Sequence, residues 1–364
     1  MKRREFIKAA GYAAAGTALL GAPYVHGEKK YELIMALCFP KALPGVGTGA
    51  EYLGRTIEKM SGGRIVVKVY GAGEWVAPFE VFDAVAEGKA QMGWGAPYYW
   101  KNKNEGFSFF SAIPFGLNSH EMMTWLQFGG GQALMDELYG QYNLKPFPAG
   151  NTGTQMGGWF NKEIASAADF KGLKTRMPGL GGEVLSRLGA QSVNLPASKV
   201  LPALKSGEID AADWVGPFND LILGLFKAAK YYYWPGWQEP GSMLDCFINR
   251  KTYQSMPDDL QEIFKHACSA SYNYIWSNYS ANNGASLMEL IKTHKVQLKR
   301  FSERTLVALA KLSQEVISEI GGKNPFSKKV YESYTAFRKQ AVGWTQIGEE
   351  AVSLARSLTL SYLE

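Results

Sequence analysis

Several residues in the middle of this chain place polar chemistry where a buried element would ordinarily carry apolar or small side chains. Gln155 opens an apolar stretch after Asn151-Thr152-Gly153-Thr154, and Arg176 closes a predicted strand before running into Pro178-Gly179. Asp213 and Trp214 end a run of small residues, and Glu239 lies between Trp237-Gln238 and Pro240-Gly241. A guanidinium is planar, permanently charged and able to donate two parallel hydrogen bonds to a carboxylate. The carboxylates of Asp213 and Glu239 and the amide oxygen of Gln155 are hard donors, of the type that holds Ca²⁺ or Na⁺ rather than zinc. Singly, each has a plainer reading: a solvated strand-end arginine, a turn aspartate, a loop glutamate. Together, one guanidinium, two carboxylates, an amide and an indole at strand and loop ends, where open α/β proteins gather their ligands, are harder to dismiss.

Motifs for covalent or redox catalysis are missing. His26, His120, His266 and His294 form no His-Glu-x-x-His pair, and neither Gly-x-Ser-x-Gly nor a Gly-Lys-Ser/Thr phosphate loop occurs. Gly45-Val-Gly47-Thr-Gly49 departs from a dinucleotide fingerprint in spacing and follows Pro44, so it reads as a loop. A secreted metal-dependent lyase or hydrolase using Asp213 and Glu239 is the enzymatic alternative, and it lacks a histidine cluster or an activated nucleophile.

The elements that must hold these residues follow from periodicity. Tyr31–Phe39 and Arg64–Tyr70 alternate as strands, with a helix over Gly49–Met60 that stops at Ser61-Gly62-Gly63. Phe79–Glu87 and Met122–Leu138 read as helices and Ala90–Gly95 as a strand. The Gly/Pro-rich run Pro146–Thr154 reads as a separator before a strand at Met156–Asn161. The same grammar then repeats: a strand at Lys174–Met177, a helix at Gly181–Leu188, and a helix through Lys205 opened by Asn194–Ser198. Ala84–Trp94 and Ala203–Trp214 echo each other as helix, glycine stop and small-residue strand ending at tryptophan. These patterns predict an α/β protein of two similar lobes with a mostly parallel sheet. Residues 28–150 form lobe 1, to which 238–295 return, and residues 151–237 form lobe 2, with 296–324. Beyond Asp258 the pattern turns helical. Residues 325–364 form a last long helix that clasps the lobes or pairs two copies into a dimer.

The chain has 364 residues, a formal net charge of +6 and three cysteines. Half of that charge comes from the first 27 residues, where Lys2, Arg3, Arg4 and Lys8 stand against Glu5. The near-neutral remainder gives no electrostatic case for nucleic acid. The Arg3-Arg4 pair followed by a short, weakly apolar Ala/Gly/Leu run fits a twin-arginine export signal, and predicts a soluble periplasmic protein. In that oxidising setting Cys38, Cys246 and Cys268 occupy apolar contexts and read as buried thiols, with a Cys246–Cys268 bridge as the alternative.

Lys171-Gly-Leu-Lys-Thr-Arg176-Met-Pro-Gly, Leu188-Gly-Ala with Pro196, Leu204-Lys-Ser-Gly-Glu-Ile-Asp-Ala-Ala and Met256-Pro-Asp-Asp-Leu-Gln resemble the solute-binding proteins of tripartite ATP-independent periplasmic (TRAP) transporters. The resemblance implies a two-lobed periplasmic-binding-protein architecture that closes on a ligand and delivers it to a membrane permease, and it is not an enzyme's. It makes Arg176 the carboxylate clamp. Gln155, Asp213-Trp214 and Trp237-Gln-Glu239-Pro-Gly look like the branch that binds 2-oxo or 2-hydroxy monocarboxylates through a metal. In that branch the Gln155 side chain, the Asp213 carboxylate, the Trp214 main-chain carbonyl and Glu239 hold Ca²⁺ or Na⁺. Asn151 and Tyr98 or Tyr99 are expected to add hydrogen bonds to the ligand. The alternative within the same fold is an organic acid bound without metal.

Overall fold

The structure, a computed structural model, describes residues 29–359; the expected export signal lies outside the described residues. Two mixed sheets organise the chain. The first contains β1 (Tyr31–Leu37), β2 (Ile65–Tyr70), β3 (Met92–Gly95), β4 (Leu144–Asn151) and β10 (Met243–Asn249) in the order β2-β1-β3-β10-β4. The second contains β5 (Gly158–Phe160), β6 (Lys174–Arg176), β7 (Gln191–Val193), β8 (Ala211–Ala212), β9 (Tyr231–Trp234) and β11 (Gln297–Arg300) in the order β7-β6-β8-β5-β9-β11.

Written this way the two sheets have one plan. In each, three parallel strands run second-first-third (β2-β1-β3 and β7-β6-β8), followed by one antiparallel strand (β10 or β5) and a strand beyond it (β4 or β9). The sequence echo falls on equivalent places: β3 and β8 are the third strands of their sheets, and the helices before them end on Gly88 and Gly207, both at positive φ. Only glycine takes that left-handed turn without steric cost. The sheets are mostly parallel, as expected, with β10 and β5 the one reversed strand of each, because the chain passes between sheets at β4–β5 and again at β9–β10. Each passage delivers its next strand in the opposite direction.

Other differences have local causes. Pro146 and Pro148, read as part of a separator, lie inside β4, which is an edge strand whose free side needs no N–H donors. The helix expected over Met122–Leu138 is two, Ser119–Phe128 and Gly131–Gly140, broken at Gly129-Gly130 where Gly130 has φ +84°. The last helix likewise breaks at Gly348, giving Pro325–Ile347 and Glu349–Thr359. Its first half packs on the first sheet's helices, with Tyr334 Oη accepting the Leu117 N–H at 2.8 Å, while Trp344, Ile347, Val352, Leu354 and Leu358 are exposed. All three cysteines are free and buried, so the alternative of a Cys246–Cys268 bridge is not realised. No helix among the described residues is long and apolar enough to cross a membrane.

The 35-residue helix Asp258–Lys292 packs on β4 and on the helix Thr48–Met60, and further along on the helix Pro217–Leu223. It therefore contacts both halves of the molecule. At the meeting point Asn219 Nδ2 donates to the Pro44 carbonyl (2.9 Å), and the Tyr279 hydroxyl lies 3.0 Å from that carbonyl and 3.1 Å from Asn219 Oδ1. Gly45, in the loop that loosely resembled a dinucleotide fingerprint, makes room for this tyrosine: a Cβ there would lie 2.3 Å from the Tyr279 ring. The two halves are thus in direct contact.

One core residue makes stability depend on pH. Asp245, in β10, is fully buried with the Tyr139 hydroxyl donating to Oδ2 and no partner on Oδ1. Burial pushes its carboxyl up from 3.8 to about 7, with the Tyr139 hydrogen bond opposing the shift. A proton held more tightly in the folded than in the unfolded chain stabilises fully below pH ~4, and that contribution is lost as pH rises through ~7. Asp245→Asn is therefore expected to match wild type near pH 4 and to exceed it by roughly 2–4 kcal/mol at pH 8. Urea titrations at the two pH values measure this, and an equal difference at both would refute it.

Candidate ligand and cation site

The site forms where the strand ends of the two sheets face one another. In open α/β sheets ligands gather outside the carboxyl ends of the strands, and here that rule places most of the residues. Phe39 follows β1, Tyr98 and Tyr99 follow β3, Thr152 follows β4, Arg176 ends β6, and Asp213-Trp214 follow β8. The antiparallel strands β5 and β10 present their amino ends on the same side, which brings in Gln155 and Ser242-Leu244. A small cavity is lined by Phe39, Val46, Tyr98, Tyr99, Thr152, Gln155, Arg176, Trp214, Val215, Ser242 and Leu244.

Arg176 is 1% exposed, and its position is fixed from three directions. Nη1 donates to the Asp213 main-chain carbonyl, Nε donates to the Leu195 carbonyl at 3.3 Å, and the guanidinium lies over the Trp214 ring at 4.7 Å. Parallel pairing of β6 and β8 sets this register, with the Asp213 N–H returning to the Arg176 carbonyl at 2.9 Å. Indole stacking and carbonyl contacts hold the guanidinium without neutralising it. The nearest carboxylate oxygen, Asp213 Oδ2, is 3.8 Å from Nη1.

The two chain passages supply the acidic half. Gln155 Nε2 donates to Glu239 Oε2 (2.8 Å) and to Thr152 Oγ1 (3.1 Å), and the main chains pair as the Gln155 N–H donates to the Glu239 carbonyl. Gln238 Nε2 donates to Asp213 Oδ1 (3.0 Å) and to the Met156 carbonyl (2.8 Å). With every amide hydrogen committed in this way, Gln155 Oε1, Gln238 Oε1 and Asp213 Oδ2 remain buried acceptors without a hydrogen-bond partner. Burial, then the neighbouring Glu239 charge, pushes the Asp213 carboxyl well above its usual range, and burial raises Glu239 from 4.5 to about 7. Buried unpaired acceptors and crowded carboxylates cost free energy that a bound cation would offset. The donors are all oxygens, and among the described residues no group of three or more His, Cys, Asp or Glu gathers as a metal site. The residues present fit a hard cation held by amide and carboxylate oxygens.

Of the residues singled out in the sequence, Tyr98, Tyr99, Gln155, Arg176 and Trp214 line the cavity, and Asp213 and Glu239 are tied to it through Gln238, Arg176 and Gln155. Asn151 is not among the lining residues. Its Oδ1 accepts from Ser119 Oγ (2.8 Å) and from the Gly153 N–H (2.9 Å), and its Nδ2 donates to the Tyr272 hydroxyl (2.9 Å). These bonds engage both ends of the Asn151 amide, and its neighbour Thr152 lines the cavity. Phe39, Val46, Leu244 and Gln238 were missed. The strand-end rule would have found Phe39, whereas Val46 and Leu244 carry no polar signal.

A larger groove runs between Lys101–Glu105 and the helices Gly179–Arg187 and Glu303–Gly322. Its charges are largely paired among themselves, Arg187 with Glu319 at 2.5 Å and Lys323 with Glu105, so it offers little free charge to a ligand.

Close packing of the passages makes another prediction. A Cβ at Gly236 would lie 2.1 Å from the Gln155 main-chain oxygen. Gly236→Ala is expected to push the passages apart, lowering stability by roughly 1–3 kcal/mol and weakening ligand binding beyond that loss. Denaturant titration and calorimetry read the two effects, and a substitution neutral in both would show that the passages tolerate separation.

The model of the bacterial extracellular solute-binding protein family 7 (DctP) matches residues 41–324. A monocarboxylate 2-oxoacid-binding periplasmic protein of Nostoc sp. is 41% identical over 355 residues, which span 96% of this chain and 97% of that protein. A TRAP transporter solute-binding protein from Bordetella bronchiseptica, a mixed-occupancy dimer with copurified calcium and picolinate, superposes with TM-score 0.90 at 32% identity, over 92% of this chain and 100% of that one. A TRAP solute-binding protein from Pseudoalteromonas atlantica with bound sodium and pyruvate gives 0.86 at 37% identity, covering 89% and 98%. One from Colwellia psychrerythraea with calcium and pyruvate gives 0.86 at 38% identity, covering 89% and 99%. With its two-lobed fold and its strand-end arginine, the chain belongs to family 7 of the bacterial extracellular solute-binding proteins, the solute-binding proteins of TRAP transporters.

Proposed function

We propose that this protein captures a small 2-oxo or 2-hydroxy monocarboxylate together with one Ca²⁺ or Na⁺, and presents the closed complex to the membrane permease of a TRAP transporter. The observation that carries this reading is the pairing of a buried, incompletely neutralised Arg176 with oxygens on Gln155 and Asp213 that lack hydrogen-bond partners, beside one small cavity. Arg176 would receive the ligand carboxylate. Gln155 Oε1, Asp213 Oδ2, Glu239 and the Trp214 main-chain carbonyl would hold the cation, whose charge balances the ligand and the two acidic side chains. Tyr98 and Tyr99 supply hydroxyls and wall, while Phe39 and Trp214, 6.5 Å apart and edge to face, exclude water from the charged contacts.

Ligand contacts come from the first sheet (Phe39, Tyr98, Tyr99), from the second (Arg176, Trp214) and from the passages between them. A ligand that bridges both halves favours their closed arrangement over an open one. The pyruvate-bound relatives and the 2-oxoacid-binding protein of Nostoc support this ligand class. The Arg3-Arg4 leader supports export by the twin-arginine route to the periplasm, where such a receptor meets its permease. In this reading the exposed apolar residues of Glu349–Thr359 serve a homodimer contact. Native mass spectrometry of protein purified from its host should show one organic acid and one cation per chain, and calorimetry should show pyruvate binding only with Ca²⁺ or Na⁺ present. Tight pyruvate binding in cation-free buffer would instead support an organic acid bound without metal.

A further inference from the structure

We infer that Gln238 is a positioning residue that commits Asp213 to offering the cation Oδ2 alone, and thereby sets the preference between Na⁺ and Ca²⁺. The inference rests on the site reading above and deepens it. Gln238 is 1% exposed and packs tightly on the helix Gly179–Arg187, where a Cβ at Gly181 would lie 2.7 Å from its own Cβ. Its amide cannot be turned over. Nε2 donates to the Met156 carbonyl, which can only accept, so the same nitrogen must face Asp213. The resulting hydrogen bond of 3.0 Å lies on Oδ1 and leaves Oδ2 without a hydrogen-bond partner. Asp213 has little other side-chain support: Arg176 Nη1 is 3.8 Å from Oδ2 and donates to the main-chain carbonyl instead.

A carboxylate with both oxygens free can bind a cation through one or through both. Ca²⁺ takes six to eight oxygens and readily accepts bidentate carboxylates. A second charged oxygen is of less use to a monovalent ion with a smaller charge to satisfy. By occupying Oδ1, Gln238 holds Asp213 in the one-oxygen mode, which keeps the site open to Na⁺. Partners that orient a metal ligand commonly change metal affinity by about 10–100-fold when removed. Here the effect should be unequal between the two ions, because removal frees an oxygen that Ca²⁺ exploits better.

The test is calorimetric titration of Na⁺ and Ca²⁺ into cation-stripped, full-length protein at saturating pyruvate, for wild type and Gln238→Met. The expected result is a Na⁺ affinity lower by about tenfold or more, with Ca²⁺ affinity unchanged or increased, so that the ratio moves toward Ca²⁺. A merely structural role would lower both affinities by one common factor; that outcome, or no change in either, overturns the inference. Gln238→Ala, which removes bulk as well as the donor, is read by the same ratio should the methionine variant not fold. Wild-type protein that takes up neither pyruvate nor cation would defeat the reading of the site itself, whereas normal uptake with an unmoved ratio defeats only the role of Gln238.

Discussion

Arg176→Ala should abolish ligand binding while leaving a folded protein. The guanidinium is buried, and its contacts to the Leu195 and Asp213 carbonyls and the Trp214 ring are to neutral groups. These contacts hold it in place, and the nearest carboxylate oxygen, Asp213 Oδ2 at 3.8 Å from Nη1, makes no hydrogen bond to it that a bound anion would have to displace. Truncating one partner of a buried, hydrogen-bonded charge pair costs about 2–5 kcal/mol in binding, or roughly 30-fold to several thousand-fold in affinity. Lysine should not rescue it. An ammonium has no planar fork and cannot satisfy the two carbonyls while donating to a carboxylate. Removing the arginine also leaves Asp213 and Glu239 without their nearest positive charge, so cation uptake should survive better than acid uptake. Calorimetry with pyruvate in saturating cation decides the matter. Arg176→Ala binding within threefold of wild type would mean that the carboxylate is held elsewhere.

Gln155, Arg176, Asp213 and Glu239 stood out jointly: each alone has a structural reading, but several charged and amide side chains at strand and loop ends do not share one. Val46 and Leu244 line the same cavity and were invisible, since an apolar residue near a pocket is indistinguishable from one in a core. Asn151 and Thr152 differ by a single position: along an extended segment neighbours point to opposite sides, and Thr152 is the one that lines the cavity. Gln238 stood beside Glu239 in the quoted Trp237-Gln-Glu239 segment, yet its role depends on Asp213 and Met156, far away in sequence.

The fold divides in the same way. The helix Thr48–Met60 and strands β1 and β2 were readable from local periodicity and a glycine stop. Strand β10 was not, because its Met243–Asn249 run is buried along its whole length and breaks alternation. Its partners β3 and β4 precede it by about a hundred residues or more, and such pairings leave no mark on the segment itself. The Ala84–Trp94 and Ala203–Trp214 echo carried the symmetry of the two sheets. It could not carry the exchange of antiparallel strands between them, which is a property of the passages.

Asp213→Asn should remove cation binding more completely than the loss of one charge suggests. With Arg176 positive, Asp213 and Glu239 negative and a monocarboxylate bound, the site is left with two excess negative charges, which Ca²⁺ neutralises and Na⁺ halves. On charge alone, replacing Asp213 by asparagine would simply convert a Ca²⁺ site into one suited to Na⁺. Gln238 prevents that outcome. Because its Nε2 must donate to this side chain, an asparagine would turn its own oxygen toward Gln238 and its NH₂ toward the position of Oδ2. A donor would then face the cation where an acceptor is required. Losing a buried charge partner costs about 3–5 kcal/mol, so the affinity of both ions should fall by more than a hundredfold. Pyruvate affinity should fall with them, since the ligand shares the cation. Titrations of Ca²⁺ and Na⁺ at saturating pyruvate measure this directly. Retained Na⁺ binding with lost Ca²⁺ binding would show that charge count alone governs the site, and wild-type affinity for both would remove Asp213 from it.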